Sequence, residues 1–141
     1  VSDELSRIRQ TSVDEEQTIA ALRATYEELV GFVPSRVAAR FDAEAQRDPA
    51  LLLAQEKLRH LAMYPEALDQ KTVQLVLFGV LHSKLSDAAA LHGLAARRAG
   101  ASWDELQAVV NLAFLFTGYS AANRGPQVLA DIALMETQGH A

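Results

Sequence analysis

No cysteine occurs anywhere in the 141 residues. That absence excludes disulfides, thiolate metal sites and thiol catalysis by this chain. Glycine and proline are scarce, at seven and four, which argues against a disordered or low-complexity chain. No apolar run reaches the roughly 18–20 residues that span a bilayer, and the most apolar window, Val109 to Thr117, is interrupted by Asn111. The opening residues VSDELSRIRQ hold no signal-like apolar core, so the protein is expected to be soluble and cytoplasmic. Positive charge is also in short supply. Thirteen Lys and Arg stand against eighteen Asp and Glu, net −5, with Arg97-Arg98 the one adjacent basic pair. A nucleic-acid binder needs a basic stripe to displace counterions from phosphates, so neither nucleic acid nor a membrane is expected as a partner. Half the residues are hydrophobic, enough at this length for one domain with a real core, and residues 1–141 read as a single domain.

Everything periodic has the helical period. Ser12 to Glu15 has the spacing of a capping box and opens a helix carrying Ile19, Leu22, Tyr26 and Leu29, which Gly31 ends. Pro34-Ser35 starts a second helix through about Ala45. Asp48-Pro49 starts a third, with Leu52, Leu53, Glu56 and Leu58 leading towards Met63, and Pro65 breaks that run. Asp69 can cap a fourth, where Val73, Val76, Leu77, Val80 and Leu81 make one broad stripe. Ser86 is the candidate cap of a fifth, ending at Gly100. Ser102 to Glu105 is a second capping box. The helix it opens is apolar almost all round through Leu112, Leu115 and Phe116, which implies full burial or a subunit interface. Gly125-Pro126 marks the start of a last helix through Met135. No segment alternates as a strand, so the fold class is all-α. The amphipathic first 30 residues either pack on their own core or swap onto a neighbouring subunit.

His92 is the first candidate for chemistry. Its helical face holds Ala88, Leu91, Ala95, Ala96 and Ala99, small neighbours that leave room for a ligand beside an imidazole able to exchange a proton near neutral pH. From the residues alone, a core histidine bonded to a carbonyl is the commoner reading of such a position. His82 shares a face with Leu75, Phe78 and Leu85; it either lines the same cavity or favours the helix end together with Lys84. Tyr119 and Asn123 follow Gly118 and can hydrogen-bond an enolate or carboxylate. Arg124 can grip a carboxylate in two-pronged geometry, or is a surface arginine beside a turn. His82, Asp87 and His92 lack the spacing of a metal motif and no His-Glu-x-x-His occurs. No metal and no cofactor is expected. Trp103 reads as a packing anchor.

The stretch from Leu68 to Asn123 resembles the paired-helix core of the carboxymuconolactone decarboxylase and alkylhydroperoxidase D-like family. The resemblance rests on the Leu68-Asp69-x-Lys71-Thr72 opening, on His92 at the motif histidine, and on the Gly118 to Asn123 ending. The family's two cysteines are replaced by Leu85 and Ala88, and its upstream glutamate falls at or beside Gln74. A cysteine-dependent peroxidase is therefore excluded, and the loss points to the decarboxylase branch. GFVP at Gly31 to Pro34 and DPALL at Asp48 to Leu52 are similar to the other branch. The resemblance implies an alkylhydroperoxidase D-like helical bundle, assembled as a trimer or hexamer. It further implies a cofactor-independent enzyme acting on a small lactone or β-keto carboxylic acid, with His92 as general acid or base in decarboxylation. His82, Tyr119, Asn123, Arg124 and Phe116 would contact the substrate. Two alternatives stand beside it: an isomerase, aldol-type or cyclisation enzyme using the same pocket in a biosynthetic pathway, or a non-catalytic ligand-binding or assembly protein.

Overall fold

The computed structural model describes residues 13–139, and side chains from Glu15 onward. The described residues form seven α-helices and no strand: α1 (Val13–Val30), α2 (Ser35–Arg47), α3 (Pro49–Met63), α4 (Gln70–Ser83), α5 (Ala89–Arg98), α6 (Trp103–Thr117) and α7 (Tyr119–Gln138). None is long and apolar enough to cross a membrane. Contacts divide the chain into two compact units, one up to Met63 and one from Tyr64.

In the first unit Gly31 ends α1 as expected: it takes φ 91° and its N–H donates to the Glu27 carbonyl at 2.8 Å, a left-handed turn that costs glycine little. The first capping box lies outside the described residues at Ser12. Tyr26, Phe41 and Leu52 form the core, with Ile19, Leu22, Val37 and Ala45 packed around them. Tyr26 and Phe41 meet edge to face at 5.9 Å. The centre of this unit is nonetheless charged. Glu56 is buried, and its carboxylate accepts from Tyr26 Oη and Arg59 Nε, each at 2.8 Å, and from Arg40 Nη2. Arg40 Nη2 also donates to Tyr26 Oη at 3.3 Å. Burial pushes Glu56 up, but the hydrogen bonds from Arg40, Arg59 and Tyr26 outweigh it and hold the carboxyl below the ordinary range. Burial, then the bond to Glu56, pushes the Tyr26 hydroxyl up to about 12.

The second unit is a four-helix arrangement in which α4 packs on α5 and α6, and α7 packs on α5 and α6. Lys71 Nζ meets Glu105 Oε1 at 2.9 Å near one end of α4 and α6, and Thr117 Oγ1 donates to the Ser83 carbonyl at 3.4 Å at the other. The two helices therefore run parallel. Arg97–Glu136 (2.7 Å) and Arg124–Asp87 (2.6 Å) likewise bring matching ends of α5 and α7 together. Glycines permit the closest approaches. A Cβ on Gly93 would lie 2.3 Å from Ile132 Cδ1, and one on Gly125 2.6 Å from Val110 Cγ1.

Asp69 caps α4 by accepting from the Thr72 N–H at 2.8 Å, and the Ser102–Glu105 box closes in both directions. Three expectations are corrected. The last helix starts at Tyr119, after Gly118 at φ 86°, and Pro126 sits inside it. Gly125 is there for its contact with Val110, not as a breaker, while Pro126 stands on the exposed side. Ser86 does not cap α5; its hydroxyl accepts from the Ala88 N–H (3.2 Å) in the preceding turn. On α4, Val76 and Val80 are exposed, whereas Gln74 and His82 are buried beside Val73 and Phe78.

Candidate functional site

His92 lies on the second turn of the short helix α5, half-buried. Its Nδ1 is 2.8 Å from Oε1 of Gln74, which is itself buried on α4. Gln74 is one turn beyond Gln70, and its amide nitrogen donates to Gln70 Oε1 at 3.4 Å. That contact turns the amide oxygen towards the imidazole. An amide oxygen only accepts, so in this contact Nδ1 is the ring nitrogen that carries a proton and donates it. The cap at Asp69 secures the first turn, which starts at Gln70 and leads to Gln74; the Thr72 backbone N–H holds its carboxyl below the ordinary range. The result is a histidine whose tautomer is set by a neutral partner from a neighbouring helix.

The other sequence candidates do not converge on it. His82 is fully buried; its Nε2 donates to the Ala121 carbonyl at 2.8 Å, its ring lies 5.9 Å from Phe78, and Nδ1 has no partner. This bond fastens the end of α4 to the first turn of α7. Arg124 is engaged by Asp87 through Nη2, and its Nε is buried without a partner. Tyr119 is exposed and leans on Phe114 at 5.3 Å. Asn123 is exposed on α7, and Phe116 stands almost wholly in solvent on α6. Trp103 is partly exposed beneath the Arg97 guanidinium, 4.3 Å from its ring centre. Among the described residues no group of three or more His, Asp or Glu side chains is arranged to hold a metal ion.

Two features escape sequence reasoning. One is an open groove of 390 Å³ between α4 and α6, walled by Leu75, Val76, Val80, Val109, Leu112 and Ala113. None of the six candidate residues lines it. Val76 stands two positions from Gln74, about 200° round the helix, so groove and histidine occupy different sides of α4. Its signal was the surplus of apolar residues on α4 and α6. The other is Leu85, which takes φ 54° in the turn between α4 and α5 and donates its N–H to the His82 carbonyl at 2.9 Å. Nothing in the sequence marks a leucine for a left-handed conformation.

The histidine and the glutamine that orients it stand on the first two helices of this second unit, in a chain without a thiol. Neither the curated proteins nor the solved structures include a match to the chain. The sequence model of the carboxymuconolactone decarboxylase family does match it, over residues 49–131, and covers the helices that carry Gln74, His92 and the parallel α4–α6 pair. With more than half its length matched, the chain belongs to the carboxymuconolactone decarboxylase family.

Proposed function

We propose that the protein is a lyase acting without a cofactor on a small lactone or β-keto carboxylic acid, with His92 as its proton-transfer group. The observation that carries this reading is the 2.8 Å contact between His92 Nδ1 and Gln74 Oε1. A neutral imidazole with Nδ1 occupied exchanges protons through Nε2, and a glutamine keeps that assignment without itself taking up a proton. In decarboxylation the electron pair of the breaking carbon–carbon bond moves into the adjacent carbonyl as carbon dioxide leaves. His92 Nε2 takes up the substrate's carboxyl proton as that bond breaks, and the resulting imidazolium hands the same proton to the enolate carbon, which returns the ring to neutral. Arg124, Tyr119 and Asn123 are the proposed contacts for the carboxylate and the developing oxyanion, which fixed hydrogen-bond donors stabilise. Gln74 acts through His92 as a positioning residue.

A second reading, ligand binding or assembly without chemistry, is favoured by one observation: the α4–α6 groove is lined by none of the candidate residues. Product analysis by mass spectrometry on a panel of lactones and β-keto acids separates the readings. Wild type should release carbon dioxide, and His92→Gln should lower kcat by about 10²–10⁴-fold. Gln74→Leu should lower kcat less and alter the pH profile. Conversion without mass change would assign an isomerase or cyclase instead. Turnover indifferent to His92→Gln, or no turnover by folded protein, would overturn the lyase reading.

A further inference from the structure

Gln74 has no bulk water to fall back on. It is 1 % exposed, so each polar atom of its amide depends on the partner that the fold supplies. The two amide atoms have different partners. The nitrogen donates to Gln70 Oε1 at 3.4 Å, and the oxygen accepts from His92 Nδ1 at 2.8 Å. An amide keeps nearly the same shape when turned over, so packing alone does not choose between its two orientations. Hydrogen bonding does. With its nitrogen towards Gln70 the amide presents an acceptor to the ring. Turned over, it presents a donor, and Nδ1 then has to accept.

Gln70 stands where that choice is made. It is the first residue of α4, one turn before Gln74, and side chains four apart on a helix are neighbours. The Asp69 cap closes the turn in which it stands. Gln70 is only partly buried, so a substitution there changes the partner on offer and leaves the packed amide of Gln74 in place. We infer that Gln70 is a positioning residue for His92: acting through the buried Gln74 amide, it selects which imidazole nitrogen carries the proton. An acceptor at position 70 turns the Gln74 oxygen to the ring, keeps the proton on Nδ1 and makes Nε2 the nitrogen that exchanges with substrate. A donor at position 70 takes the Gln74 oxygen for itself, brings the amide nitrogen to the ring and moves the proton to Nε2. A mismatch is costly, because an amide N–H set against an imidazole N–H leaves two donors facing one another away from water. The effect on turnover rests on the lyase reading; the effect on the ring does not.

Three variants of the full chain test it, each checked for folding by circular-dichroism melts. Gln70→Glu keeps an acceptor, Gln70→Lys supplies donors only, and Gln70→Leu supplies neither. Nitrogen-15 NMR of the imidazoles at about pH 9, where an ordinary histidine is neutral, reads the protonated nitrogen directly, and His92→Gln assigns the His92 signals. Wild type and Gln70→Glu should hold the proton on Nδ1 and Gln70→Lys on Nε2. Gln70→Leu should give a mixture, since neither orientation of Gln74 is then held. On a substrate found by the product analysis, Gln70→Lys should lower kcat at least about tenfold with KM little changed, and Gln70→Glu should retain it. A folded Gln70→Lys protein with the proton still on Nδ1 overturns the inference. So does Gln70→Glu that shifts the ring as Gln70→Lys does, because a structural defect alone does not tell acceptor from donor. Should Gln70→Lys fail to fold, Gln70→Leu carries the test, and an unchanged Nδ1 proton there overturns the inference. Ring signals that respond as stated in a protein without turnover uphold the inference and sink only the lyase reading.

Discussion

Tyr26→Phe removes one oxygen from the centre of the first unit and leaves the ring. The aromatic contacts, Phe41 edge-on at 5.9 Å and the Arg59 guanidinium 4.1 Å from the ring centre, survive the change. What is lost is the hydroxyl that donates to Glu56 at 2.8 Å and accepts from Arg40 at 3.3 Å. Hydrogen bonds to charged groups are worth about 1.5–3 kcal/mol, and that is the expected destabilisation at pH 8. The pH dependence supplies an independent check. The folded-state value of Tyr26 is raised from 10.0 to about 12, so its contribution is fully present below pH 10 and falls away as pH rises towards 12. At about 1.4 kcal/mol for each pH unit, the loss is about 2–3 kcal/mol. The gap between wild type and Tyr26→Phe should therefore close towards zero by pH 12. Ionisation of groups remote from Tyr26 affects both proteins alike. Urea unfolding followed by far-ultraviolet circular dichroism at pH 8, 10, 11 and 12 measures the gap. A gap that stays constant with pH, or none at pH 8, refutes the reasoning.

Two further predictions concern the second unit. At Leu85, held at φ 54°, glycine should be more stable than valine by about 1–2 kcal/mol, because a β-branched side chain resists the left-handed region. Paired thermal melts with valine the more stable would refute this. Gly93→Ala should destabilise by about 1–2 kcal/mol, since a Cβ there meets the buried Ile132 Cδ1 at 2.3 Å and overpacking outweighs the helical preference for alanine. Adding Ile132→Val deletes that δ-carbon, so the double variant should recover part of the loss in a mutant cycle by chemical denaturation; strict additivity would contradict the contact.

Local chemistry was legible in the sequence, and long-range partnership was not. Asp69, Ser102 with Glu105, and Gly31 act within a few residues of themselves, and their capping roles follow from spacing. Gly125-Pro126 misleads because a glycine reads the same whether it breaks a helix or admits a neighbouring one. The apolar surplus on α4 was visible, but not which side would be covered: the covered side carries Gln74 and His82, satisfied by groups 18 and 39 residues away. At the candidate site the histidine stood out through its small neighbours and its motif position, while the glutamine that orients it looked only like a lost glutamate. For the helix of Phe116 the sequence left full burial and a subunit interface both open, and the side chain lies on the outside of the chain.

The parallel course of α4 and α6 has an electrostatic consequence. Aligned peptide dipoles give each helix about half a positive elementary charge at its start, so two like poles lie side by side where Lys71 meets Glu105. One carboxylate serves both: Glu105 accepts from the Ser102 N–H of its own helix and holds the Lys71 ammonium of the other. That end of the pair is fastened by charge at a half-exposed site, which salt screens. The far end is fastened by Thr117 on the Ser83 carbonyl, a neutral bond that salt leaves alone. Rising ionic strength should thus loosen the α4–α6 pair from one end only, at the helix starts.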